Sequence, residues 1–471
     1  MTEPTPPTAS APTPRADELR EAVSAGLPTA IAELSGLVRI PSVSWDGFDP
    51  AHVRASAERV AELARGLDVF ESVDVVQLPV ADPDSDALGQ PAVVATRAAR
   101  GGKPTILLYA HHDVQPAGDA AQWDSAPFEP TLRGERLYGR GAADDKAGVI
   151  AHLAAIRAVQ QVLGDPEIGI VLYVEGEEEF GSRSITTFLE HYRDTFDADV
   201  IVVADSGNWS TEVPALTVGL RGAVAFNLRV TTLAHGSHSG MYGGAVPDAM
   251  LATIRMLDTL WNADGSVAVA GLTARDADTP DYDEAQLRAE TGLLPGATPI
   301  GTGAIISRIW NQPSITVTGI DAPSVREASN TLVPSVRVRV SARVAPGQRA
   351  EEAYEALIAH LNAHAPFGAQ LEVDGLDLGQ PFLVDTSGWA VADAKDVLAE
   401  AFGHETVEMG VGGSIPFIAE LAERFPRAQI LVTGVEDPDS RAHSANESLH
   451  VPSLEKAILG EALLLARLAA R

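Results

Sequence analysis

The sequence predicts an α/β protein. A largely parallel sheet flanked by helices is interrupted by an inserted α+β block of ferredoxin-like order, β-α-β-β-α-β. Three observations lead there. Strand-like and helix-like runs alternate before residue 205 and again after residue 389. The middle of the chain follows a different rhythm. Two apolar runs, Thr105-Ile-Leu-Leu and Ile168-Gly-Ile-Val-Leu-Tyr-Val174, lead straight into Tyr109-Ala-His-His-Asp113 and Glu175-Gly-Glu-Glu-Glu179. In an open parallel sheet, ligands bind just beyond the carboxyl ends of the strands. Histidines and carboxylates at that place suggest a metal hydrolase.

Taken in order, Asp17 to Leu37 reads as an amphipathic helix, and Ile40-Pro-Ser-Val-Ser44 breaks it into a loop. Ala51 to Leu67 is helical. Val73–Pro79, Ala92–Thr96, Thr105–Ala110, Ile168–Val174, Val200–Ala204 and Gln429–Gly434 read as strands. Lys146–Leu163, Ser184–His191, Ala390–Phe402 and Ile415–Arg424 read as helices. In the middle block, Ala215–Thr232 is one long strand or a pair. Pro247–Trp261 is a helix opened by proline. Ser314–Gly319 and Ser335–Val344 are strands, Arg349–Ala363 a helix and Gln370–Leu376 a last strand. The stretch from Asn262 to Gly303 is too long for a bare loop and is expected to carry helices of its own. The expected organisation is a disordered tail (1–15), a first domain in two parts (16–213 and 381–471) and an inserted domain (214–380).

Composition narrows the function. The 471 residues suffice for a large core and two domains. A net charge of −31 repels nucleic acid and anionic lipid, so neither is an expected partner. The same excess lowers the work of concentrating a divalent cation. Cysteine is absent, which excludes disulfides, thiol catalysis and Cys-ligated zinc and fits the cytoplasm. No run of eighteen or more apolar residues exists, so no membrane span is expected. Met1–Pro14 lacks the basic start and apolar core of a secretory signal.

Each motif has a bland reading beside the chemical one. In His111-His112-Asp113, alternation along a strand puts His111 and Asp113 on one face and His112 on the other. A metal-binding histidine commonly gives its second N–H to a carboxylate, so His111 is read as a ligand and Asp113 as its orienting partner. The alternative is a structural His–Asp pair. Leu137-Tyr-Gly-Arg-Gly-Ala-Ala-Asp-Asp-Lys146 enters a helix, where two aspartates can simply be caps. The chemical reading makes Asp144 a carboxylate shared by two metals. Glu175–Glu179 packs four carboxylates into five residues, which ionise together only beside a cation, unless the run is merely solvated. One of them is available as a proton acceptor. Asp205 follows another strand, and His443 and Glu447 lie in a polar loop. In the middle block, His235–Gly244 is a Gly-rich loop bearing histidine, and Arg343 ends a strand. Gly412-Gly-Ser-Ile-Pro416 opens a helix whose N–H groups could hold an anion.

Six motifs, in order, resemble the M20 metallopeptidase family, most of all its carnosinase-type dipeptidase branch. They are Val38–Ser44, Tyr109–Pro116, Glu175–Ser182, His238–Gly244, Gly412–Pro416 and His443–Glu447, with Trp123–Phe128 and Leu137–Lys146 between them. The resemblance covers nearly the whole chain after residue 15. It implies a zinc-exopeptidase-like catalytic domain with an inserted lid and dimerisation domain. One metal would be held by Asp144, Glu179 and His443, and the other by His111, Asp144 and Asp205. A cis peptide would follow Asp144. Glu178 would be the general base and Asp113 would orient His111. His238 would reach the partner subunit's site and stabilise the oxyanion. Asn330 and Arg343 would bind substrate, with Arg343, Gly413 and Ser414 at its C-terminal carboxylate. A homodimer is implied. Glu177 and His112 depart from the family, since apolar residues are usual at both positions (Tyr also at the second), and either could shift substrate preference.

These readings converge on a two-metal hydrolase that cleaves dipeptides or short peptides with a free C-terminal carboxylate. An N-acyl amino acid deacylase or desuccinylase of the same family is the alternative. A catalytically dead metal-binding scaffold is the remote one. Carboxylate-plus-imidazole sites accept several metals. Zinc is expected first, with manganese or cobalt as substitutes.

Overall fold

The computed structural model describes residues 13–82, 84–412 and 416–471. Most of the expected tail, and the positions Gly413 and Ser414, lie outside the described residues. At the end of that tail, Thr13 is buried, and its hydroxyl accepts from Arg467 Nε at 2.9 Å. The chain forms two compact units. The first comprises residues up to Val218 together with Val384–Met409 and Glu420–Arg471; the second comprises Gly219–Leu383 and Gly410–Ala419.

The first unit is built on a twisted sheet. Its centre runs Gly169–Glu175, Thr105–His111, Val200–Val203, Gln429–Val432, all parallel. These strands are Val-, Ile- and Leu-rich and buried on both faces, as parallel strands covered by helices require. Antiparallel strands extend the sheet on either side. Ser72–Val76 and Ala92–Arg97 lie beyond Gly169–Glu175, and the start of Ala215–Leu220 lies beyond Gln429–Val432. The sheet as a whole is therefore mixed around the expected parallel centre. The hairpin-like edges escape a prediction built on strand–helix alternation, because alternation says nothing about direction at the edges.

The Lys146–Leu163 helix is buried on almost every side, between the helices Ala16–Val38 and Val451–Ala470. Its first residue, Lys146, is fully buried and donates to Leu37 O at 2.9 Å and Ile40 O at 2.7 Å. That contact fastens the helix start to the Ile40–Ser44 loop. No described helix is long and apolar enough to cross a membrane.

The second unit contains a four-stranded antiparallel sheet in the order Ser314–Asp321, Ser335–Val344, Gly222–Thr231, Gln370–Gly379. With the helices Ala249–Asp258 and Ala350–Ala363 between its strands, the chain order is β-α-β-β-α-β. Burial alternates strictly along Gly222–Thr231 and Ser335–Val344. Val224, Phe226, Leu228, Val336, Val338 and Val340 face the helices in one core, while the arginines between the valines face outward. The stretch from Asn262 to Gly303 carries one helix, Glu284–Thr291, capped by Asp283 and ended by Gly292 at φ +66°, and a second helix, Ile305–Trp310, follows the stretch. Residues 410–412 cluster with this unit, whereas Val384–Met409 just before them belongs to the first. Arg221 N donates to Val411 O at 3.3 Å, and Gly410 lies so close to the Trp310 ring that a Cβ would meet it at 2.7 Å.

Candidate metal centre

Three parallel strands end side by side, and their ends carry the chemistry. His111 closes Thr105–His111, Asp205 follows Val200–Val203, and Glu178–Phe180 is a single 3₁₀ turn after Gly169–Glu175. Gly176 makes that approach possible: a Cβ there would lie 2.1 Å from Pro91 O.

His111 Nε2 lies 3.1 Å from Asp144 Oδ1, 3.7 Å from Asp205 Oδ1 and 4.0 Å from Glu178 Oε2. On the other side of Asp144, its Oδ2 lies 3.0 Å from His443 Nε2, which is 3.3 Å from Glu179 Oε2. Two ligand groups result, His111–Asp144–Asp205 and Asp144–Glu179–His443, with donor atoms in each within 4.8 Å of one another. Asp144 belongs to both. The peptide between Asp144 and Asp145 is cis, as the resemblance implied.

The two aspartates divide the two readings of their motif. Asp145 is the cap, with Oδ1 accepting from Gly148 N at 3.2 Å and Oδ2 from His111 N at 3.1 Å. Asp144 is left facing the histidines. Asp113 lies behind His111, its Oδ1 3.3 Å from Nδ1. It also accepts from Ser44 Oγ at 2.6 Å and from the backbone N–H groups of Glu178 and Glu179 at 3.2 and 3.1 Å. One carboxylate thus ties the histidine to the turn bearing both glutamates.

Some supporting residues carried no assigned role in the sequence. Gln115 donates from N to Glu179 Oε1 at 3.1 Å and from Nε2 to Oε2 at 2.6 Å. Fully buried Glu447 accepts from Arg140 Nη1 at 2.6 Å and from the N–H groups of Gly141, Ala143 and Asp144 at 3.1, 3.0 and 3.1 Å. It sits four residues after His443 and holds the loop that presents Asp144. Ser44, Gln115 and Glu447 all lie inside matched motifs, but their contacts are tertiary and leave no spacing signal.

Electrostatics fit the donor set to cations. Desolvation and the Asp205 charge push the half-buried Glu178 carboxyl well above its usual range. Burial and Asp144 push Glu179 up to about 7. Glu436, a half-buried carboxylate near the centre, is pushed well up by desolvation, Asp144 and Asp205. Hydrogen bonds to Asp144 and Glu179 push His443 up to about 11. Burial opposes protonation of His111, but Asp113, Asp144 and Asp205 outweigh it and raise it. The carboxylates here ask for positive charge, and imidazole plus carboxylate is the donor chemistry of Zn²⁺ and its neighbours.

The two departures from the family are occupied elsewhere. Glu177 is buried and accepts from Ser184 N at 2.9 Å and Arg183 Nη2 at 3.1 Å. His112 points away from His111 and bonds Pro91 O at 2.8 Å, and burial pushes it down to about 4.

Of the expected site residues, the structure gathers His111, Asp113, Asp144, Glu178, Glu179, Asp205 and His443. His238, Asn330 and Arg343 belong to the second unit. His238 is exposed, and its Nδ1 accepts from Gly240 N at 3.1 Å. The Ser237–His238 strand pairs with Thr331–Leu332, and Asn330 O accepts from Ser239 N at 2.9 Å. Arg343 stands opposite Ser314 and Ala223.

Comparison with known proteins gives a family. Residues 107–467 match the family described as peptidase family M20/M25/M40. A cysteinylglycine-S-conjugate dipeptidase of Corynebacterium striatum is 36% identical over 419 residues, covering 88% of this chain and 90% of the relative. A Cys-Gly metallodipeptidase of Schizosaccharomyces pombe is 26% identical over 462 residues, covering 94% and 96%. The fold is similar to the di-peptidase Dug1p from Saccharomyces cerevisiae, with a TM-score of 0.81 at 21% identity over 97% of this chain and 99% of that one. It is also similar to human carnosine dipeptidase 1, with a TM-score of 0.77 at 23% identity over 98% and 100%. The match to the family and the identity to the C. striatum relative place the conclusion beyond fold likeness: the chain belongs to the M20/M25/M40 peptidase family.

Proposed function

We propose that this protein hydrolyses the peptide bond of dipeptides, or of short peptides with a free C-terminal carboxylate, at a two-metal centre. The observation that carries the reading is the pair of ligand groups sharing Asp144, with Glu178 beside them. Relatives named as dipeptidases support the substrate class. Asp144, Glu179 and His443 would hold one ion; His111, Asp144 and Asp205 the other. Zinc is the proposed metal, with manganese or cobalt as substitutes. When bound, two such ions polarise a carbonyl and make water a nucleophile at neutral pH.

The chain's own residues do the rest. Glu178 takes the proton of the attacking water and later gives it to the leaving amine. Desolvation, and then the Asp205 charge, raise the proton affinity of Glu178 above that of an ordinary carboxylate. Asp113 holds His111 through Nδ1 and leaves Nε2 for the metal. In the inserted unit, Arg343 grips the substrate carboxylate, Asn330 adds a contact and His238 serves the partner subunit's site in a homodimer. Gly413 and Ser414 complete the carboxylate end. A soluble cytoplasmic setting agrees with the absence of cysteine.

The test combines one variant with a substrate panel. Glu178→Gln lowers turnover of dipeptides by roughly 10²–10⁴-fold while metal content, read by elemental analysis, stays at the wild-type level. Near-normal turnover in that variant removes Glu178 from the chemistry. Cleavage of N-acetyl or N-succinyl amino acids with silent dipeptides replaces the dipeptidase reading by a deacylase one.

A further inference from the structure

The second unit carries a solvent-open cavity of about 710 Å³, well inside the size range of small-molecule sites. Every residue lining it except Arg221 lies between Trp261 and Ile315. Its body is apolar, with Trp261, Leu287, Leu293, Ile300, Ile305 and Ile309 among the walls. No aspartate or glutamate lines it, although the chain carries 65 of them against 34 lysines and arginines. Among the described residues, the charged groups on the wall are Arg221 and Arg308.

Both guanidinium groups are held by neutral acceptors. Arg221, only 8% exposed, donates from Nε to Gly412 O at 3.2 Å and from Nη1 to Gln312 O at 3.2 Å and Ser314 Oγ at 3.3 Å. Arg308 donates to Ile300 O at 2.9 Å and Gly303 O at 3.1 Å. Among the described residues, neither pairs with a carboxylate, and Arg221 Nη2 donates to none. A buried guanidinium without a counter-charge is costly. Burial, and then the Arg343 charge, push Arg221 down to about 10, the direction expected of a cation still lacking its anion.

We propose that this cavity binds an organic monoanion, a carboxylate carried on an apolar body. The carboxylate meets Arg221, with Arg308 as the second cation, and the body lies against the Leu and Ile walls and Trp261. The wall has no acid to receive an ammonium group, so the ligand carries no free amine beside its carboxylate. That excludes free amino acids. It leaves two sources of the same chemistry: the C-terminal residue of a peptide or acylated amino acid, whose nitrogen is an amide, and a simple aliphatic carboxylate. The inference does not depend on the proposed peptidase reading.

The test is titration of the metal-loaded full chain with octanoate and N-acetylleucine, followed by calorimetry and tryptophan fluorescence. Octan-1-ol and free leucine are the controls. One cavity site per chain is expected for an anionic ligand, counted apart from any carboxylate held at the proposed metal centre, with both controls at least ~10-fold weaker there, since they lack a charge-assisted bond or carry an ammonium. Ile309→Trp, which fills the cavity, abolishes binding, and Arg308→Gln weakens it; Arg221→Gln does so more strongly. Tighter N-acetylleucine assigns the cavity to a peptide-like C-terminus, and tighter octanoate to a simple carboxylate; either supports the site. The proposal is overturned if neither anion binds, if octan-1-ol binds as well as octanoate, or if binding survives in folded Ile309→Trp.

Discussion

Glu447 touches no proposed ligand side chain, yet it should be among the most costly residues to remove. Its carboxylate receives one guanidinium and three backbone N–H groups, all buried, and one of those N–H groups belongs to Asp144. Glu447→Met leaves the Arg140 charge unpaired, which costs roughly 3–5 kcal/mol. It also leaves three N–H groups without an acceptor, at about 1–3 kcal/mol for each that water cannot reach. The double variant Arg140→Met/Glu447→Met removes the first penalty and keeps the second. The single variant should therefore be less stable than the double by ~3–5 kcal/mol, and the double should remain less stable than wild type. Urea unfolding of metal-free protein, followed by circular dichroism, measures this difference. Glu447→Gln keeps the shape and one acceptor oxygen, so it tests positioning. It should fold and bind metal roughly 10–100-fold more weakly, as loss of a residue supporting a ligand typically does. The reasoning is refuted if Glu447→Met loses less than ~1 kcal/mol, below the cost of one orphaned donor, or if the double variant is no more stable than the single.

Three further outcomes follow from the same geometry. His443→Ala removes one imidazole from the Asp144–Glu179–His443 group, and elemental analysis should find its metal content below that of wild type at limiting metal. Gly176→Ala drives a methyl into Pro91 O and should lower stability by ~1–3 kcal/mol, read as a shift in the unfolding midpoint. His112 is a base depressed to about 4 by burial, so its contribution is fully present above pH ~6.5 and is lost as pH falls toward 4. By pH 5 that loss amounts to about 2 kcal/mol, and His112→Gln should lose less stability than wild type between pH 7 and 5; equal slopes would contradict it.

Much of this is legible in the sequence. The Lys146–Leu163 helix has the bounds the sequence predicts, with Asp145 capping its start and Gly164 at its end. Of the proposed ligands, His111, Glu179 and Asp205 are legible because each follows an apolar strand, where the sheet must deliver it, whereas Asp144 stands at a helix entry and His443 in a polar loop, and the resemblance assigns them. Sheet direction was legible only in part. The edge strands Ser72–Val76 and Ala92–Arg97 look like any other short apolar run, and pairing, not composition, sets their direction. The supporting residues were invisible for a related reason. Glu447 and the Gly141–Asp144 loop meet only when the chain has folded back on itself, and Gln115 finds Glu179 across two strand ends. Glu177 misled by proximity: beside Glu178 in sequence, its side chain turns instead to Ser184 and Arg183.

One feature of the centre bears on time rather than on chemistry. His111 and His443, which flank Asp144, are more than three hundred residues apart, with the whole second unit between them. At about 5–20 residues per second, a ribosome needs roughly 15–65 s to travel from one to the other. During that interval the parallel sheet lacks its Gln429–Val432 strand, the Asp144 loop lacks Glu447, and one ligand group lacks its histidine. A nascent chain is therefore a peptidase fold without a peptidase. A product broken off before residue 443 lacks the histidine of the Asp144–Glu179–His443 group and the Glu447 that holds the Asp144 loop.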